Sequence, residues 1–323
     1  MTAPAVSFFA RRVHFGCSRC GACCNSNPQM SLPELFRHQA IFIGCLSIRR
    51  MPRPSRGMDA RAASEFDAFV PQYAQRTAGG DVTQSVMITA HAYNDPLGET
   101  CSALMEDNLC RLHDKGKPLA CRSVPLEATL PDAFQLAVLQ ERARDARFMG
   151  ADCIQPRVER DSTAAGHLPV IVEGSRVVDP EALRALELRR AALRLDRAHW
   201  GDRVFQMLRR DLLDHPDRVL RLPEQGYLCM SLAPALSVLS CVSNALTRRV
   251  IEYLNAQIEL IALTLGAPTK APTQAERELV GLLRANVSLR ATLQAARPLP
   301  QPEPDAGVVE AWLAEREPDV SRA

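Results

Sequence analysis

Apolar positions follow two rhythms in this chain, and the change falls near residue 179. Upstream, short apolar runs are broken by proline, glycine and cysteine. Ser31-Leu32-Pro33-Glu34 has the form of a capping box, with Ser31 at the N-cap and Glu34 three residues on. The spacing of Leu35, Phe36, Ile43 and Leu46 then predicts a helix to about residue 46. A second helix is expected over 58–75, beyond the basic, proline-broken stretch 49–57, which reads as a solvated loop. After Gly79-Gly80, the β-branched run 82–90 predicts a strand, and a weaker strand is expected at 133–139. Residues 169–178 have the pattern of a hairpin turning at Glu173-Gly174-Ser175.

Downstream, helical periodicity dominates. Asp179-Pro180-Glu181 supplies an N-cap, a proline at the first helical position and an acid in the first turn. Helices are expected at 180–199, 202–214, 234–265 and 274–296, the last opened by a Thr273/Glu276 capping box. An unbroken helix over 234–265 would be about 48 Å long at 1.5 Å per residue. The expected fold is α+β and predominantly helical: a small metal-centred N-terminal region with few strands, then an all-helical second half. Three segments follow: a cysteine-cluster region at 1–178, a helical region packed on it at 179–297, and a Pro-rich mobile tail at 298–323. Trp312 and Leu313 in that tail have the spacing of a docking amphipathic turn.

Composition narrows the function classes. The 323 residues are 46% hydrophobic, enough for a core that does not depend on a metal to exist. Net charge is +2, so the overall field argues for neither a nucleic acid nor an anionic membrane as partner. The first twelve residues lack an apolar stretch ahead of a small-residue cleavage site, which argues against a signal peptide. The longest apolar region, 234–265, is interrupted by Arg248, Arg249, Glu252 and Glu259 and reads as a buried helix and not a membrane span. A cytoplasmic location is expected, where the eleven cysteines stay reduced and favour metal over disulfides.

Four of those cysteines stand in eight residues, Cys17-Ser18-Arg19-Cys20-Gly21-Ala22-Cys23-Cys24. The C-x2-C spacing of Cys17, Cys20 and Cys23 serves zinc and iron–sulfur clusters alike. Cys24 does not belong to a single compact tetrahedron, because adjacent side chains in an extended segment point to opposite sides. Two nearby centres, or one polynuclear cluster, would use both. Cys101, Cys110 and Cys121 form a second set whose spacing is too wide for a self-contained finger. Two turns, Glu106-Asp107-Asn108 and Asp114-Lys115-Gly116, are placed to return these thiols to a shared point. With Cys153 the candidate ligands number eight, enough for two four-thiolate sites. Cys45, Cys229 and Cys241 lie in apolar runs and read as core residues. His113 reads as a donor or surface group before a ligand, while Arg122 suits either N–H···S contacts to a thiolate or an ordinary salt bridge.

Three motifs in order carry a resemblance. Phe15-Gly16-Cys17 through Cys24, then Cys101 to Leu109-Cys110-Arg111-Leu112-His113, then Pro118-Leu119-Ala120-Cys121-Arg122-Ser123-Val124-Pro125, are similar to the YkgJ-type cysteine-cluster family of zinc- or iron-chelating proteins. The likeness spans about residues 13 to 155, with Lys117-Pro118 where that family usually has Arg-Pro. It implies a bound zinc ion or iron–sulfur cluster. An all-thiolate zinc site is normally structural, because no coordination position is left for water. An iron–sulfur centre would open electron transfer, sensing or cofactor chemistry. The expectation is therefore a metal-binding protein with no assigned catalysis and no identified protein partner. The alternatives are an iron–sulfur enzyme of the protein lysine-N-methylase type, whose flagellin-modifying members share the cysteine boxes, and a redox or metal-homeostasis factor. No Ser/His/Asp constellation, paired-carboxylate pattern or glycine-rich phosphate loop stands out.

Overall fold

The computed structural model describes residues 12–18, 20–51, 60–77, 84–94, 100–144, 153–155, 168–266, 272–315 and 317–318. In chain order the strands are β1 (Arg12–Phe15), β2 (Gly44–Arg50), β3 (Gln75–Arg76), β4 (Ser85–Ala92), β5 (Ile154–Gln155), β6 (Val170–Glu173), β7 (Arg176–Val177) and β8 (Leu228–Ser231). The helices are α1 (Leu32–Arg37), α2 (Ala60–Phe69), α3 (Leu119–Arg122), α4 (Gln135–Arg144), α5 (Pro180–Asp196), α6 (Asp202–Leu208), α7 (Pro216–Leu220), α8 (Ala233–Ser240), α9 (Asn244–Leu265), α10 (Gln274–Ala295) and α11 (Ala306–Ala314). Helix predominates, and the class is α+β. The strands form two antiparallel sheets, ordered β5-β1-β6-β7 and β3-β4-β2-β8. No helix among the described residues is long and apolar enough to cross a membrane.

The second sheet is organised by β2, which pairs with β4 from Gly44↔Ala92 to Arg50↔Val86 and with β8 on its other side. Strand alternation divides its faces. Leu46, Ile48, Val86, Ile88 and Ala90 enter a main core that also holds α1, α8, α9 and α11. Met87, on the opposite face, joins a second core built on β1, β5, β6, α2, α4 and α5. Each core draws residues from before and after position 179, so the two halves of the chain share their interiors.

Several local expectations are corrected. The helix opened by Ser31 ends at Arg37, not near residue 46, and 44–50 is strand. Ile41, Ile43 and Ile48 favour extended backbone, and the loop between is held by one buried side chain from far along the chain. Gln257 on α9 accepts from Gly44 N at 2.7 Å and donates to the carbonyls of Gln39 and Phe42 at 2.9 and 3.1 Å. Gly44 is needed there because a Cβ would lie 2.2 Å from Tyr253 Oη. The strand expected at 133–139 is a 3-10 turn running into α4. Buried Gln135 closes that turn, donating to the carbonyls of Glu127 and Leu130 at 2.8 and 3.1 Å and accepting from Glu127 N at 2.8 Å. The helix expected over 234–265 breaks at 241–243, where Ser243 starts α9 by accepting from Leu246 N at 3.1 Å. The second half is also not purely helical, because β8 completes the sheet beside β2.

The described part of the Pro-rich segment is tied to the body of the protein. Asn244 holds Leu299 through both amide atoms, at 2.8 and 3.0 Å, and Glu303 N donates to Val242 O at 2.8 Å. That path delivers α11 to the main core, with Trp312 and Leu313 buried and the His199 ring 4.5 Å from Trp312. Other expectations match: the 170–177 hairpin turns through Gly174 at φ 58°, Asp179 caps α5, and Thr273 and Glu276 form their box. The turns at 79–80 and 95–98, most of the basic loop and the first residues of the 82–90 run lie outside the described residues.

Candidate metal centre

The first cysteine box follows β1 and turns at Gly21, whose φ of 74° suits glycine. A Cβ on Gly21 would be 3.3 Å from Asn108 Oδ1, so this turn lies directly against the second cysteine loop. Cys24 N donates to Gly21 O at 2.8 Å, and Cys24 O accepts from Cys101 N at 2.8 Å. The first and second boxes are therefore joined through backbone. Beyond Cys101 the chain reverses at Glu106-Asp107-Asn108, with Asn108 at φ 61°, and a bridge between Leu104 and Cys110 closes the reversal. A further turn ends at Gly116 (φ 87°), whose carbonyl accepts from His38 Nε2 at 2.8 Å. Both turns expected from the sequence are present, and the second leads into α3, which carries Cys121.

Glu34 sets the position of α3. Its Oε2 accepts from Ser31 N and Ser31 Oγ at 2.8 and 2.9 Å, completing the cap of α1. Its Oε1 accepts from Leu119 N, the first residue of α3, at 2.7 Å. One buried carboxylate thus starts two helices. The segment after α3 is held from behind by arginines: Arg189 donates to Ser123 Oγ at 3.2 Å and to Gln29 Oε1 at 2.9 Å, and Arg142 reaches Pro125 O. Burial would raise Glu127 there, but Arg189, Arg142 and Arg49 together hold its carboxyl near 2.

Comparison with protein-family models, with curated proteins and with solved structures finds no match. The site is therefore interpreted from its own atoms.

Of the eight candidate ligands, Cys23 and Cys24 share a hydrogen bond, and Cys101, Cys110 and Cys121 lie in the electrostatic neighbourhood of Cys24. Cys24 shares a thiol hydrogen bond with Cys23, which lowers Cys24 and raises Cys23. Cys121, Cys101 and Cys110 all lie close enough to Cys24 to oppose its ionisation. Burial pushes the Cys121 thiol up to about 12, with Cys101 and Cys110 adding to the shift and Lys117 opposing it. Cys24 and Cys110 pack against the main core that contains Cys101. Cys153 belongs to the other core, where its Sγ is 3.2 Å from Ser18 Oγ and its carbonyl accepts from Gly16 N at 3.0 Å. Cys17 and Cys20 are exposed on the intervening loop. The thiols are thus divided between a group around Cys24 and a separate attachment of Cys153 to the opening loop.

The donors of the Cys24 group fit a thiophilic metal in kind, since they are soft and come from three segments, although only Cys101 is buried, Cys24, Cys110 and Cys121 are half-buried and Cys23 is exposed. They do not yet fit in distance. Among the described residues no three His, Cys, Asp or Glu side chains stand close enough to hold one ion. His113 is exposed, and Arg122 pairs with Glu317 at 2.5 Å, the ordinary salt bridge of the two roles its position suggested. Of the three cysteines expected in the core, Cys45 is buried and hydrogen-bonded to half-buried Cys229. Cys241 is exposed, because the helix expected to bury it breaks at that residue.

Two features of the site were not read from the sequence. One is the reach of Glu34 to Leu119; the capping box marked its bond to Ser31, but no local pattern marks a partner 85 positions away. The other is a cleft of about 760 Å³ beside α3, lined by charged residues from α1, the 114–117 turn, α9 and the chain after α11.

Proposed function

We propose that this protein binds a metal through cysteine thiolates, with Cys24, Cys101, Cys110 and Cys121 as the principal donors and Cys23 beside them. The convergence of thiols from three chain segments around Cys24 carries this reading. Neighbouring thiols add to the cost of ionising Cys24, Cys101 and Cys121, a cost that a bound cation would offset. The metal is zinc or an iron–sulfur cluster, and eleven cysteines suit a reducing, cytoplasmic setting. Cys17, Cys20 and Cys153 belong to the same proposal as a second donor set, supported by the attachment of Cys153 to the opening loop. The likeness to the YkgJ-type family supports the same chemistry.

The test is an anaerobic preparation with a visible spectrum and zinc, iron and sulfide measured per chain. Brown protein with iron and sulfide in similar amounts selects the cluster; colourless, zinc-replete protein selects zinc; metal-free protein sinks the reading. Cys110→Ser is expected to lose bound metal, and Cys241→Ser to retain it. One observation favours a catalytic version, an iron–sulfur enzyme of the protein lysine-N-methylase type: a cleft large enough for a substrate segment adjoins α3. Saturable binding of S-adenosylmethionine separates that version from a structural centre.

A further inference from the structure

One wall of the cleft beside α3 is made by the chain's own segment after α11. Among the described residues five cations line it, Arg37, Lys115, Lys117, Arg122 and Arg249, against three carboxylates from the same walls, Glu34, Asp114 and Glu252. Glu34 is already committed to Ser31 and Leu119. The excess of two positive charges is matched by Glu315 and Glu317, which line the cleft from the segment following α11.

The contacts are those of a bound peptide. Arg37 Nη2 donates to the Glu315 carbonyl at 2.6 Å, and Arg249 Nη2 to the Leu313 carbonyl at 3.4 Å. Arg122 Nη1 meets Glu317 Oε1 at 2.5 Å, with Arg184 4.0 Å from the other oxygen. Arg37 from α1 thus holds the extended Glu315 backbone by its carbonyl, Arg122 from α3 holds the Glu317 carboxylate, and Arg249 from α9 meets the last turn of α11. The Arg122–Glu317 pair is partly exposed on both sides, in the range where an ion pair is worth about 0–1 kcal/mol. A segment held this way can be displaced without unfolding α11, whose own anchors, Trp312 and Leu313, are buried in the main core.

We propose that this cleft is a binding site for an acidic peptide segment of another protein, and that Glu315 and Glu317 engage its Arg37 and Arg122 as tethered competitors. The chemistry recognised is a main-chain carbonyl followed within two residues by a carboxylate. This inference does not rest on the metal reading, because its readout is peptide binding.

The experiment uses the full chain and a fluorescent, N-acetylated peptide with the chain's own sequence over 313–319, followed by anisotropy at low salt. The wild type should bind weakly because its own segment competes at high effective concentration. Glu317→Gln, which loosens that segment through an exposed side chain, should bind about tenfold more tightly. Adding Arg122→Gln to Glu317→Gln should remove the gain. Equal affinity of wild type and Glu317→Gln, no binding by either, or equal binding of a peptide with lysine in place of its acids would each overturn the proposal. So would inorganic phosphate that displaces the peptide at equimolar concentration, since the site would then read charge alone.

Discussion

Replacing Glu34 tests whether one carboxylate starts both α1 and α3. Glu34→Ala removes the acceptor for Ser31 N, Ser31 Oγ and Leu119 N, all within 2.7–2.9 Å. A hydrogen bond to a charged group contributes about 1.5–3 kcal/mol, and a buried donor left without a partner costs about 1–3 kcal/mol. Ser31 Oγ can turn to water, and the adjoining cleft admits water toward Leu119, so the full sum is not expected. About 3–4 kcal/mol remains, mostly from the two backbone donors. Glu34→Gln keeps one carbonyl oxygen but presents an amide N–H to a backbone N–H on the other side, and should cost about half as much. Urea unfolding followed by circular dichroism should show the midpoint falling in the order wild type, Gln, Ala, with an unchanged slope. Bound metal should fall in the same order, because Leu119 N fixes the start of the helix that carries Cys121. A Glu34→Ala protein within 1 kcal/mol of wild type would refute the shared-cap argument.

Two further predictions concern the sheet. His91 is buried against Tyr227 at 4.4 Å with Nδ1–H donating to the Ala92 carbonyl, and burial, with lesser help from Arg189 and Arg49, holds it down at about 4. The unfolded chain takes up that proton first, near pH 6.5, so stability is fully present above that pH and declines as pH falls toward 4. The loss should be about 2 kcal/mol between pH 8 and 5, and a His91→Gln protein with the same pH slope as wild type would contradict it. Gly44→Ala should cost about 2 kcal/mol or more by driving a Cβ to 2.2 Å from Tyr253 Oη. Tyr253→Phe alone should be neutral or slightly stabilising, since that hydroxyl is buried with no hydrogen-bond partner among the described residues. The double variant should recover part of the loss, and strict additivity in thermal unfolding would show that the two positions are not in contact.

Legibility follows the distance over which each decision is made. The Ser31, Asp179 and Thr273 caps and the Gly174 hairpin are settled within about four residues, and the residue pattern reports them directly. The stretch 38–46 is different. Its apolar spacing suits a helix, but Gln257 takes the Gln39 and Phe42 carbonyls, and β4 and β8 take the backbone that follows. Tertiary partners outweigh a weak local preference at that point. The chain end is decided in the same way: its prolines suggest a free tail, and Asn244, Val242 and the main core override them.

The same distinction separates the cysteines. Spacing marks which thiols are chemically suspect but not which core each one joins, and that choice assigns them to groups. Cys24, Cys101 and Cys110 gather at the main core, because the first box is stitched by backbone to Cys101 and Leu104 bridges to Cys110. Cys121 is brought to the group by a helix that Glu34 starts, a residue that no ligand motif includes. Cys153 is carried by β5 to the partner of Phe15 on the far sheet, and so into the second core. A site that required all eight thiols in one cluster would have to bring Cys153 out of that core. Two separate donor sets would leave Cys153 where it packs, and for that reason the eight proposed donors are divided between two sites.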